Sequence, residues 1–141
     1  MKKVDVVSEI LLFNQALDPR RVSLKYDRMR ETPFAFFRAT CHLFYQRLSQ
    51  SSLFTHSPKV WVSGDLHLEN FGSYKGDNRL AYFDMNDFDE ACLAPCTFEI
   101  LRILTSILIA SDGFGLSPSV RKDLCMSFLR SYCAEAVSEK P

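Results

Sequence analysis

Residues 64–91, GDLHLENFGSYKGDNRLAYFDMNDFDEA, decide how this chain is read. They concentrate Asp65, His67, Glu69, Asn70, Asp84, Asp87, Asp89 and Glu90 in one short stretch. Two apolar runs, KVWVSG before it and RLAYF within it, have the β-branched and aromatic content of strands. Carboxylates held between buried strands require a cation, a proton-transfer role or an arginine partner, because burying an unpaired charge is costly. A site is therefore expected on loops at strand ends, where a rigid scaffold presents its chemistry.

Outward from this stretch the pattern is helical. Residues 4–17 place Val4, Val7, Ile10, Leu11, Phe13, Asn14 and Leu17 close to a 3.6-residue period that ends at Asp18-Pro19. Residues 20–30 form a short basic segment compatible with a helix. Thr32-Pro33 supplies a cap and a first-turn proline, and Phe34, Phe37, Cys41, Phe44 and Leu48 continue one apolar stripe to about Gln50. A polar loop, 49–57, leads into a strand at 59–63; a second strand at 80–83 follows the turn residues Lys75-Gly76-Asp77-Asn78. Pro95 and Thr97 open a helix through about Ala110 that is apolar almost all round, as a central core helix is. Ser117-Pro118 starts a last helix with Val120, Leu124, Phe128, Leu129 and Tyr132 inward. The expected fold is α+β and mostly α-helical: a helical region over 1–57, a β-hairpin with the acidic loops over 58–96, and a helical region over 97–141, in one domain.

Composition excludes several classes. The 141 residues hold 17 basic and 17 acidic side chains, a net charge of zero, which leaves no electrostatic footprint for nucleic acid or an anionic membrane. No run approaches the roughly 20 apolar residues that span a bilayer. Asp5 and Glu9 interrupt what would be a signal-peptide core, so a cytoplasmic protein is expected. The cysteines, Cys41, Cys92, Cys96, Cys125 and Cys133, are odd in number and lack a CxxC pair, which favours free thiols over a zinc site.

The acidic stretch suggests a chemistry. Asp65, an amide five residues on at Asn70, and a later aspartate after a second strand form the arrangement used in phosphoryl transfer. There the first aspartate orients or deprotonates the acceptor hydroxyl, while the amide and the later aspartate hold Mg²⁺. Mg²⁺ is a hard ion that takes carboxylate and amide oxygens.

GDLHLENFG resembles the catalytic loop of the aminoglycoside-phosphotransferase and choline-kinase branch of kinase-like proteins, and NDFDEA resembles their following metal-binding segment. More closely, TPFAFFRAT, VWVSGDLHLENFG, YFDMNDFDEA and FEILRILTS, in that order, resemble an uncharacterised bacterial family of kinase-like appearance. Its members carry SPFAFFRG, GDLHLENFG, DFDE and WDxxRLxxS. The resemblance implies part of a protein-kinase-like C-lobe, with Asp65 as catalytic base, Asn70 as a metal ligand, and Mg²⁺ and ATP as cofactors. The second metal ligand is Asp87 if the match is anchored on DFDEA, and Asp84 if it is anchored on strand length. Phe98, Glu99 and Ala39 depart from the family's Trp, Asp and Gly. Family members are longer and carry a glycine-rich segment and a Lys-Glu-Ala motif downstream, so the chain reads as a fragment whose nucleotide lobe is supplied by another segment or chain.

Three functions follow as expectations: an ATP- and Mg²⁺-dependent phosphotransferase acting on a small-molecule acceptor, a non-catalytic kinase-like binding module, or a metal-dependent phosphoesterase. Arg38, on the apolar stripe between Phe34 and Cys41, is expected to be partly buried and to contact phosphate or an acidic partner such as Glu99 or Asp89. His67 is expected either to contact the cofactor or to hold the loop in shape. Arg102, three residues after Glu99, is expected to tie a loop or pair along its helix. The basic run at 20–30 reads as a solvated face or an approach to nucleotide phosphates.

Overall fold

Three proline-led helices show how local sequence sets the frame of the computed structural model, which describes residues 5–51 and 56–138. Helix α2 (Pro19–Met29) is capped by Asp18, whose carboxylate accepts from the Arg21 N–H at 3.0 Å. Helix α3 (Pro33–Ala39) is capped by Thr32 through the Ala35 N–H at 3.0 Å. The C-terminal helix (Pro118–Ala136) is capped by Ser117. In each case a side-chain oxygen satisfies an orphan donor and proline occupies a position whose N–H has no intrahelical partner. Ahead of them, α1 (Val6–Asn14) is capped by Asp5. Of the helix expected over 4–17, Val4 lies outside the described residues, the helix begins after Asp5 and ends at Asn14, and the basic segment is helical.

The single helix expected from Pro33 to about Gln50 is two. Thr40 leaves helical geometry (φ −120°, ψ 34°), and α4 runs Cys41–Leu48. The Thr40 hydroxyl donates to the Phe36 carbonyl at 2.7 Å, replacing a main-chain donor at the break. The apolar stripe continues across Thr40, which is why periodicity gives no sign of it. The break aims Cys41 and Tyr45 at the loop that follows the first strand.

Strand β1 (Lys59–Val62) leads to a 3₁₀ turn (Leu68–Asn70), then β2 (Phe71–Lys75), β3 (Ala81–Met85) and β4 (Cys92–Pro95). The two expected strands do not pair with each other. β1 pairs antiparallel with β4, Val62 opposite Cys92, and β2 pairs antiparallel with β3, Phe71 opposite Met85. β4 was hidden by its brevity and its proline, and β2 by its glycine, signals that ordinarily argue against strands. The fold is α+β and predominantly helical, as the sequence implies.

Helix α5 (Cys96–Gly113) is the central element, packed against α3, α4, β1 and β4 and against α6, the C-terminal helix. Leu66, Ile103 and Ile107 form a contiguous buried cluster, with Phe71, Met85, Leu104, Cys125 and Phe128 around it. A run of rings, Phe34–Phe37–Phe44–Tyr45–Phe98, ties α3 and α4 to α5 at centroid spacings of 5.4–6.5 Å. Phe36, between Phe34 and Phe37 of this run, is 40% exposed. Of the α6 residues expected inward, Phe128 and Leu129 are half-buried, whereas Val120, Leu124 and Tyr132 are exposed. No helix among the described residues is long and apolar enough to cross a membrane.

Candidate functional site

The site grows from the end of β1. Ser63 is fixed by Glu99 of α5, which accepts from its N–H at 2.6 Å and its hydroxyl at 2.7 Å. Gly64 follows with φ +93°, and a Cβ there would lie 2.3 Å from the Glu90 carbonyl oxygen. Only glycine permits both the left-handed turn and this approach of two backbones. The Gly64 carbonyl accepts from the Tyr45 hydroxyl and, at 3.7 Å, from the Cys41 thiol. α4, β1 and the loop before β4 therefore meet at one peptide.

Asp65 comes next, its side chain 26% exposed, and its Oδ1 pairs with the Arg102 guanidinium of α5. Arg102 is wholly buried. It also donates to the Phe37 carbonyl at 3.0 Å, and its guanidinium carbon lies 3.7 Å from the Phe37 ring centroid and 5.0 Å from that of Phe44. The aromatic faces and the carboxylate together compensate a cation taken out of water. Arg102 is thus the loop tie expected of it, while Glu99 turns to Ser63.

Beyond Asp65 the loop is a packed unit. His67 is 2% exposed. Its N–H donates to Asn70 Oδ1 at 2.7 Å, and the Leu68 N–H donates to Ser106 Oγ at 3.0 Å. The His67 ring meets Phe34 edge-on at 6.0 Å. Burial, then the nearby Arg38, pushes its pKa below the usual imidazole value. The Asn70 carbonyl accepts from the Asn86 N–H at 2.8 Å, which couples the first acidic loop to the second.

The two rival aspartates separate here. Asp84 is exposed on β3 opposite Gly72, and its Oδ1 accepts from the Met85 N–H at 2.7 Å. Asp87 has φ +74°, a left-handed conformation that aspartate tolerates better than most residues. Ser63, Asp65, Asp87, Asp89 and Glu90 line one cavity of about 160 Å³. Burial, then the Asp65 charge, raises the Glu90 pKa above the usual carboxylate value. Ligand atoms of Cys41, Asp65 and Glu90 lie within 4.8 Å of one another.

Asp65 also borders a second cavity, about 480 Å³, between α2 and α3, where Arg21, Lys25, Arg28 and Arg38 lie. One carboxylate is therefore shared by an acidic cavity and a basic one.

Of the residues singled out in the sequence, Asp65 and Asp87 come together, whereas Asp84 does not join them. Asn70 and His67 sit inside the loop and line neither cavity. Arg38 is exposed and pairs with Glu69, not with Glu99 or Asp89. The buried arginine of the site is Arg102, on a helix whose apolar sequence signalled that any charge on it needs a partner. Ser63 and Cys41 were missed as members, and Glu90 was singled out only as part of the acidic stretch; Cys41 and Tyr45, four apart on α4, are the one local hint of a face turned to the site.

A family model described as "Uncharacterized protein conserved in bacteria (DUF2252)" matches residues 17–139. No curated protein and no solved structure matches the chain.

Proposed function

We propose, from the premise that the chain belongs to the DUF2252 family, that it carries the catalytic and metal-binding loops of a kinase-like phosphotransferase. The single observation behind this reading is the shared position of Asp65, bordering a carboxylate-lined cavity and a cation-lined one. Transfer of a phosphoryl group needs both: hard oxygens for a divalent ion, and positive charge for anionic substrate.

In this reading Asp65 receives the acceptor hydroxyl's proton, with its Oδ1 held in place by Arg102. Asp87, supported by Asp89 and Glu90, offers carboxylate oxygens of the kind Mg²⁺ prefers, so the donor set fits that ion. Asn70 is buried with its Oδ1 on the His67 backbone N–H and lies outside the carboxylate-lined cavity, so in this reading it shapes the loop that presents Asp65 and is not itself a metal ligand. Mg²⁺, when bound with ATP, would neutralise charge on the phosphates. The acceptor is a small molecule, and the nucleotide lobe comes from another segment or chain.

A second reading is a kinase-like module that binds nucleotide without turnover. It is favoured by the commitment of Asp65 Oδ1 to Arg102, which leaves less of the carboxylate for proton transfer.

Thermal unfolding with ATP and Mg²⁺, followed by an assay of ADP release, separates them. Binding raises the unfolding midpoint of wild type, and Asp65→Asn keeps that rise while losing about 10²-fold or more of ADP release. A midpoint unmoved by millimolar ATP and Mg²⁺ would overturn both readings. A rise without ADP release, in wild type as in the variant, establishes the second.

A further inference from the structure

The basic cavity contains more charge than the proposed chemistry of Asp65 explains. Arg21, Lys25 and Arg28 stand at i, i+4 and i+7 on α2, along one face of the helix. Arg38 joins them from α3 across the cavity. Arg38 has Glu69 as partner, whereas among the described residues none of the three α2 cations forms an ion pair with a carboxylate. Lys25 instead donates to Asn14 Oδ1 at 2.9 Å, which aligns its stem along α1. Like charges spaced four apart on a helix repel, and among the described residues no carboxylate pairs with these three to offset it. The chain as a whole is neutral, which makes this a local concentration of charge.

We propose that the cavity between α2 and α3 binds the phosphate group of a phosphorylated small molecule. Three arginines offer planar forks that match phosphate oxygens in pairs, and Lys25 adds a point charge. The volume of about 480 Å³ lies within the range of small-ligand pockets. Leu24, Met29 and Ala35 give the walls an apolar component for the rest of the ligand. Asp65 borders the same cavity, so a phosphate held by α2 directs the far end of the molecule toward that carboxylate. This orientation rests on the reading of Asp65 as base, whereas binding itself does not.

Titration calorimetry on the full chain with inorganic pyrophosphate, in metal-free buffer at moderate salt, tests it. Wild type binds saturably at one site. Arg21→Gln with Arg28→Gln weakens that binding at least tenfold, while Asp84→Asn, outside the cavity, leaves it unchanged. Both arginines are exposed, so the double variant folds, and relief of like-charge repulsion keeps its unfolding midpoint at or above that of wild type. Glucose 6-phosphate and ATP, run as separate arms, identify the source: tighter binding of the sugar phosphate assigns the cavity to the acceptor, and tighter binding of ATP assigns it to the nucleotide. Absent binding of millimolar pyrophosphate, or binding that the double variant does not weaken, would overturn the proposal. Pyrophosphate binding without any Asp65-dependent turnover overturns only the base reading; the reverse result overturns only the phosphate cavity.

Discussion

Asp65 and Arg102 form an ion pair in which the guanidinium is wholly shielded from water and the carboxylate opens toward two cavities. The pair joins α5 to the loop after β1, and the same guanidinium reaches the last carbonyls of α3 through Phe37. The position of Asp65 is therefore set by the core helix as much as by its own loop.

Arg102→Met leaves Asp65 without its partner and the Phe37 carbonyl without its donor. Breaking a buried pair at one end costs about 3–5 kcal/mol. Urea denaturation should show a loss of that order, and Arg102→Lys should recover little of it, since an ammonium lacks the planar fork that serves Asp65 and Phe37 together. A loss under about 1 kcal/mol for Arg102→Met would contradict the role given to this pair.

Gly64→Ala puts a methyl 2.3 Å from the Glu90 carbonyl and a side chain at φ +93°. The backbone strain alone is of order 1–3 kcal/mol. The substitution should lower the unfolding midpoint and, by pushing Glu90 away, weaken binding of divalent ions. An unchanged midpoint would mean the two backbones are not in contact.

Glu90 titrates above the usual carboxylate value because burial, then the Asp65 charge, disfavours its ionised form. Its unfolded-state value is lower, so its favourable contribution is complete below about pH 4.5 and is lost as pH rises through the folded-state pKa. Glu90→Gln should stabilise the protein above that window and flatten the corresponding part of the curve of unfolding midpoint against pH. A midpoint at pH 7 equal to that of wild type would count against a Glu90 whose ionised form is disfavoured in the folded chain.

His67 carries the opposite sign. Burial, then Arg38, holds its pKa below 6.5, so the folded chain resists the proton that the unfolded chain accepts. Its stabilising contribution is present above pH 6.5 and is lost as pH falls through the folded-state pKa. His67→Phe should remove this acid-side slope while preserving the edge contact with Phe34; an unaltered slope would assign acid sensitivity to other groups.

Much of this arrangement was legible in the sequence, and the remainder was not for identifiable reasons. Pro33 and Pro118, each behind a capping side chain, announce helix starts by local chemistry alone, whereas Asp18-Pro19, read as the end of the first helix, also caps the start of α2. The break at Thr40 leaves the apolar period intact, so only the hydroxyl's bond to Phe36 reveals it. β4 is four residues ending in proline, and its pairing with β1 joins Lys59 to Pro95, beyond the reach of local pattern. Asp65 and Asp87 stand out because carboxylates cluster around strand ends. The tie from Asp65 to Arg102 spans 37 positions, and no spacing rule connects them. The face of Arg21, Lys25 and Arg28 is readable at helical spacing, but the cavity it borders exists only once α2 packs on α3.

A Mn²⁺ titration followed by electron paramagnetic resonance, with Mn²⁺ standing in for Mg²⁺, tests the assignment of the metal side most directly. Wild type and Asp84→Asn should bind the ion equally, because Asp84 is exposed on β3 outside the cavity. Asp87→Asn should weaken binding about tenfold or more, because Asp87 lines the cavity with Asp65, Asp89 and Glu90. Binding weakened by Asp84→Asn and untouched by Asp87→Asn would contradict the account.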